Sequence, residues 1–156
     1  MPYSEHSPPL LPVTDRLTST PSRLKGKPSY MPRKKRVLCV DDNTDTCALV
    51  EETLKGWKVA TEYCSTAGLR RATAERFDLI LLDYHLPDGT GLDLCQKIRM
   101  FDVSTPILMF TATHSIEHAT VLAAGGQGVI RKDHLTHVLP VAIANALELG
   151  LTARRH

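Results

Sequence analysis

The 156 residues carry 19 Lys/Arg against 17 Asp/Glu, a formal charge of +2, and only four cysteines. That length suits one ordinary domain. The cysteines, without C-x-x-C or zinc-knuckle spacing, exclude a disulfide scaffold or a zinc module. The longest apolar runs, five or six residues, are far short of the ~20 that span a bilayer, and the N-terminus lacks the apolar stretch of a secretory signal.

The small net charge conceals two unlike parts. Residues 1–36 hold eight Lys/Arg and two Asp/Glu, a net +6, and seven of the ten prolines. Residues 37–156 hold eleven and fifteen, a net −4. Residues 1–35 read as a disordered, basic, Pro/Ser-rich leader, because Pro, Ser and Thr dominate and no apolar period is visible. Met31, followed directly by Pro-Arg-Lys-Lys-Arg and an apolar run, is an alternative start. Cys39, Cys64 and Cys95 lie in or beside apolar runs and Cys47 in a helical pattern. They are expected to be reduced, mostly packed thiols of a cytoplasmic protein.

From residue 36 to 150 short apolar runs alternate with amphipathic stretches. Val37–Val40 predicts the first strand, Thr44–Lys55 a helix stopped by Gly56, and Lys58–Tyr63 the second strand. Ser65 can cap a helix running to Arg76. Leu79–Leu82 is the third strand and Thr90–Met100 a helix. Pro106 opens the fourth strand, Ile107–Phe110, and Ser115–Ala124 is a helix ended by Gly125-Gly126. Val129-Ile130 is a short fifth strand and His134–Gly150 the last helix, leaving 151–156 as a tail. Five β–α units imply an α/β, flavodoxin-like fold: a five-stranded parallel sheet of order 2-1-3-4-5 with helices on both faces. Its ligand site lies at the carboxyl ends of the strands.

Those ends carry the chemistry. Asp41 and Asp42 follow the first strand, Asp83 the third, Thr111 the fourth and Lys132 the fifth. Three converging carboxylates repel one another unless a cation neutralises them, and a small hard divalent ion such as Mg²⁺ suits oxygen donors. A carboxylate beside such an ion can take a phosphoryl group, whose oxygens the Lys132 ammonium and Thr111 hydroxyl are suited to receive.

The sequence here resembles the response-regulator receiver family of two-component signalling, in its chemotaxis-regulator-like form. The resemblance rests on Asp41-Asp42 after Val-Leu-Cys-Val, on Leu-Ile-Leu-Leu-Asp83 with Leu86-Pro87-Asp88-Gly89 downstream, on Phe110-Thr111-Ala112 and on Ile130-Arg131-Lys132. It implies that Asp83 is the phosphoacceptor, that Asp41, Asp42, Asp83 and the His85 backbone carbonyl hold Mg²⁺, and that Thr111, Ala112 and Lys132 bind the phosphoryl group. It implies as partners a sensor histidine kinase or histidine phosphotransfer protein and a downstream protein target, with no membrane involved. The protein would be no enzyme, catalysing only its own phosphorylation and dephosphorylation. Only six residues follow Gly150, so the expectation is a stand-alone regulator without a DNA-binding domain. The face made by the fourth helix, fifth strand and fifth helix (the α4–β5–α5 face) leaves room for a homodimer.

Two positions depart from the family. Val129 stands where the family carries a switch aromatic, and Asp133 where it carries a proline in a cis peptide. A cis bond before a non-proline residue costs about 3–4 kcal/mol, so a trans bond is expected after Lys132. These departures keep an alternative open, a degenerate receiver that binds proteins without being phosphorylated. His85 and Thr113, two places beyond Asp83 and Thr111, are candidates for tuning phosphoryl lifetime.

Three other patterns imitate sites. Asp41-x-Asn43-x-Asp45 with Glu52 lacks the glycine of a calcium loop, Thr46 standing in its place. His114-x-x-Glu117-His118 has the spacing of an inverted zinc-peptidase motif but a chain too small for the cleft; it reads as a polar helix start. Arg33–Arg36 reads as a solvated leader more than as a nucleic-acid contact.

Overall fold

The apolar runs predicted as strands are strands, and the residues that follow them are brought to one edge of a single sheet. The computed structural model describes residues 31–153; most of the predicted leader, and residues 154–156 of the predicted tail, lie outside the described residues. In chain order the elements are β1 (Arg36–Val40), α1 (Thr44–Thr53), β2 (Lys58–Glu62), α2 (Ser65–Ala74), β3 (Leu79–Asp83), α3 (Gly91–Arg99), β4 (Ile107–Thr111), α4 (His118–Ala123), β5 (Gly128–Arg131) and α5 (Leu135–Ala153). A two-residue antiparallel pair, His85–Leu86 with Gly89–Thr90, bridges β3 and α3. The sheet order is β2-β1-β3-β4-β5, and every adjacent pair is parallel.

The strands are buried on both faces, as parallel strands between helix layers are. Val37, Cys39, Leu79, Leu81, Leu108 and Phe110 point to the side covered by α1 and α5. Leu38, Val40, Ile80, Leu82, Ile107 and Met109 point to the other, against α3 and α4, with Leu69 and Ala72 of α2 alongside. β3 is buried along its whole length, so Asp83 arrives at the sheet edge on the strand at the sheet's centre.

The helix ends differ from prediction in instructive places. The cap of α2 is Cys64, whose sulfur accepts from the Ala67 N–H, and Ser65 is already helical. The Ser65 and Thr66 N–H groups donate instead to Asp88, 23 and 22 residues away, at 2.6 and 2.8 Å. α4 begins at His118, three residues late, because Ser115 lies in a turn and Ile116 tucks against the core. The polar helix start expected from His114 is therefore a loop, capped by the extended Glu117. Lys132–His134 form a 3-10 turn and α5 runs on to Ala153. The imitation calcium loop is dissolved by α1, whose cap is Asn43. Gly56, expected to stop α1, lies just past its end with φ +95°, a conformation that side-chain-bearing residues rarely adopt.

At the opposite edge one guanidinium ties the lower loops together. Arg99 donates to the carbonyls of Gly125, Asp102 and Thr105, each at 2.8 Å, and to Gln127 Oε1 at 3.3 Å. Gln127 Oε1 also accepts from the Ile107 N–H at 2.6 Å, fixing the entry to β4.

The Thr66 hydroxyl and the Thr66 and Ser65 N–H groups lower the Asp88 pKa from 3.8 to about 2. A carboxyl held lower in the folded state favours folding above its ordinary pKa, and that contribution disappears as pH falls through the folded value. Asp88→Ala is expected to lower stability at pH 7 and to flatten the acid limb of the stability curve between about pH 4 and pH 2. Urea unfolding at pH 7, 4, 3 and 2 measures this; parallel wild-type and variant curves would contradict it.

Candidate functional site

The site is assembled from four strand ends and the turns behind them. Asp41 ends the run of β1 and is fully buried at 0% exposure; Asp42 beside it is exposed. The Asn43 N–H donates to Asp41 Oδ1 at 2.9 Å, and Asn43 Oδ1 accepts from the Asp45 and Thr46 N–H groups. Asn43 thus starts α1 and holds Asp41 at one stroke, a role its position in the imitation calcium loop disguised. Asp83, at the end of β3, is also buried. One carboxylate oxygen from each of Asp41, Asp42 and Asp83 lies within 4.8 Å of the other two.

Lys132 reaches into this cluster from the turn after β5. Its Nζ stands 2.6 Å from Asp41 Oδ2 and 3.3 Å from Asp83 Oδ1, with the side chain 18% exposed. The Phe110 ring lies beneath it, 5.1 Å from Nζ to the centroid. Burial alone would lower the Lys132 pKa, but its bonds to Asp41 and Asp83 outweigh that and hold it raised. Burial and the neighbouring Asp41 charge push the Asp83 carboxyl up against the opposing pull of Lys132. The peptide after Lys132 is trans, as expected from Asp133.

Three carboxylates face one ammonium, a deficit of two charges. Asp41 Oδ2 is fully buried and pairs with the Lys132 ammonium. An oxygen-only donor set with two uncompensated charges fits a hard dication such as Mg²⁺. Among the described residues these three Asp form the only such group, so His114, Glu117 and His118 do not make a second.

Thr111 is buried at the end of β4, and its Oγ1 accepts from the Thr113 N–H at 3.0 Å. Ala112, the next residue, is exposed at the rim. Thr113 Oγ1 in turn meets His85 Nε2 at 3.1 Å, closing the loop after β3 onto the loop after β4. The His85 ring also stands edge-on to Tyr84, 4.7 Å between centroids. Both residues singled out for lifetime tuning therefore touch each other. Val129 is half-buried on β5, where the sheet ends, and there α5 leaves a hollow of about 190 Å³ lined by Leu108, His118, Val129 and Ala142.

Gly91 escaped sequence reasoning. A Cβ there would overlap the Asp83 carbonyl oxygen and crowd Met109 Sδ, and its N–H donates to Tyr84 O at 2.8 Å. The first residue of α3 is thereby seated on the peptide of the candidate acceptor. A glycine after a threonine cap at a helix start was the available signal.

Residues 37–144 match the family profile described as the response regulator receiver domain. The response regulator protein PilR of Pseudomonas aeruginosa is 37% identical over 125 residues, covering 78% of this chain and 26% of PilR. The transcriptional regulatory protein ZraR of Salmonella typhimurium is 31% identical over 121 residues, 73% of this chain and 27% of ZraR. The chain spans about a quarter of the length of these relatives. Among solved structures, a CheY-like receiver domain protein from Methanospirillum hungatei superposes with a TM-score of 0.72 at 28% identity, covering 77% of this chain and 98% of the other. The Vibrio cholerae chemotaxis protein CheY4 gives 0.66 at 30% identity, covering 72% and 98%.

Removing the one ammonium leaves Asp41 buried without its counter-charge, which costs about 3–5 kcal/mol. Lys132→Met is expected to destabilise the metal-free protein by roughly that amount at pH 7, and adding Asp41→Asn to restore much of it. Urea unfolding in chelator measures both. Equal losses in the single and double variants would show that Lys132 acts through packing alone.

Proposed function

Because the chain belongs to the response regulator receiver domain family, we propose that Asp83 accepts a phosphoryl group from a phosphohistidine of a sensor histidine kinase or histidine phosphotransfer protein. The supporting observation is the placement of Asp83, buried beside two further carboxylates with a lysine ammonium 3.3 Å away. An Asp83 carboxylate oxygen attacks phosphorus; the P–O bond forms as the P–N bond breaks, and the leaving imidazole takes up a proton. Mg²⁺, held by Asp41, Asp42, Asp83 and the His85 carbonyl, would neutralise the charge gathered on the phosphoryl oxygens.

The chain's own groups do the rest. Lys132 moves from its pairing with Asp83 to an oxygen of the bound phosphoryl group. Thr111 already accepts from Thr113, so its hydroxyl proton is the one available for donation to that group. As Thr111 turns, its bond to Thr113 loosens, and the change passes into the loop before α4. Output then leaves through contact with a downstream protein. The closed pair His85–Thr113 shields the acyl phosphate from water.

A second reading has its own support. The hollow beside Val129 lacks the aromatic group that fills the switch position in the family, which suits a binding module that docks partners without phosphorylation. Incubation with acetyl phosphate and Mg²⁺, read by intact mass, separates the two. The expected outcome is one phosphate adduct on the wild type that disappears in Asp83→Asn and in chelator; an unmodified wild type would establish the second reading. In the same assay His85→Ala is expected to shorten the adduct's half-life roughly 3- to 10-fold by opening the site to water. An unchanged half-life would remove His85 from lifetime control.

A further inference from the structure

Gly91 opens α3 against the peptide of Asp83, and space, not conformation, demands a glycine there. Its backbone does not share the positive φ of Gly56, Gly89 and Gly125. A Cβ on Gly91 would overlap the Asp83 carbonyl oxygen, and it would stand 3.0 Å from the Asp83 carbonyl carbon and 2.8 Å from Met109 Sδ. The other crowded glycines differ. A Cβ on Gly68, Gly125 or Gly126 would come within 3.0 Å only of the side chains of Val40, Arg99 or Val121. A side chain can rotate away. The peptide at the end of the sheet's central strand moves only with that strand or with the loop that follows it.

The same residue closes that loop at its base. The Gly91 N–H donates to Tyr84 O at 2.8 Å. Inside this closure His85 pairs with Thr90 and Leu86 with Gly89. The Thr90 hydroxyl accepts from the Asp93 N–H at 3.1 Å and so caps α3. The loop is thus one fastened unit that starts at the Asp83 carboxylate and carries the His85 carbonyl.

We propose that Gly91 is a positioning residue for phosphoryl transfer: lacking a Cβ, it lets α3 press on the Asp83–Tyr84 peptide, and this seat aims the Asp83 carboxylate and the His85 carbonyl at a shared Mg²⁺. The inference rests on the reading of Asp83 as phosphoacceptor. Relieving the overlap that a Cβ would make takes roughly 1 Å of movement, and a misplacement of about that size can cost ~10²-fold in rate. Either α3 retreats and the Gly91–Tyr84 bond is lost, or the Asp83 peptide turns and takes its carboxylate with it. Both routes leave the three carboxylates and Lys132 chemically intact, so what is lost is their aim.

The test compares the full-length wild type with Gly91→Ala, Thr90→Ala and Gly126→Ala. Mg²⁺ affinity is read from amide shifts of the isotopically labelled chain, the rate of phosphorylation by acetyl phosphate from intact mass, and folding from circular dichroism. Gly126→Ala is the control, because its Cβ would crowd Val121 and the carbonyl of Ile107, at the opposite end of β4 from the site. Gly91→Ala is expected to bind Mg²⁺ about tenfold more weakly and to be phosphorylated roughly 10- to 100-fold more slowly. Thr90→Ala loosens the same seat without adding an atom at Asp83. It is expected to show a smaller loss of both, and it decides the matter if Gly91→Ala does not fold. Gly126→Ala is expected to match the wild type in both readouts. Wild-type affinity and rate in folded Gly91→Ala, or in Thr90→Ala where that variant decides, would overturn the proposal. So would equal losses in Gly126→Ala, which would trace the effect to general destabilisation. A wild type that takes no phosphoryl group would overturn the reading of Asp83, and Mg²⁺ affinity would then decide for or against the seat.

Discussion

The ammonium of Lys132 is the interaction around which the upper half of the domain is organised. It stands between carboxylates from two strands, 2.6 Å from Asp41 and 3.3 Å from Asp83, and over the ring of Phe110 from a third. Asp41 is wholly buried, so it depends on this partner for its charge to be tolerable at all. One cation cannot balance three carboxylates, and the remaining deficit is a standing attraction for a dication. The repulsion left in the cluster is what a bound dication would relieve.

Around that centre the connecting loops are fastened in pairs. Asn43 links Asp41 to the start of α1. Asp88 links the loop after β3 to the start of α2, and Gly91 seats α3 on the peptide of Asp83. His85 and Thr113 join the loops after β3 and β4, and Thr113 in turn holds Thr111. Of the helix starts, that of α3 lies directly against Asp83, through the close approach of Gly91 to its carbonyl.

Much of this was legible in the sequence. Continuous apolar runs announce strands buried on both faces, and the first polar residue after each run falls at the sheet's carboxyl edge. Asp41, Asp42, Asp83, Thr111 and Lys132 could therefore be named before any geometry; the three carboxylates and Lys132 meet in one cluster, and Thr111 ends the neighbouring strand at the same edge. What could not be read depends on partners distant in sequence. Ser65 has the chemistry of a cap, but Asp88, more than twenty residues later, satisfies its N–H and leaves Cys64 in the cap position. The late start of α4 follows from Ile116 turning inward, which helical periodicity does not report. Gly91 reads as an ordinary helix glycine until its missing Cβ is compared with the Asp83 carbonyl. Arg99 reads as a surface residue until its three carbonyl partners are seen.

The grip of Arg99 on Gly125 has a mechanical meaning. Gly125 follows directly on the last turn of α4, so the far end of that helix is bolted to α3 and to the entrance of β4. The near end has no side-chain cap and hangs from the loop that begins at Thr111. A short rod fixed at one end and loosely held at the other is a lever. A small movement of the Thr111 hydroxyl would be delivered at its free end, with Gly125 as the fulcrum about which α4 would turn.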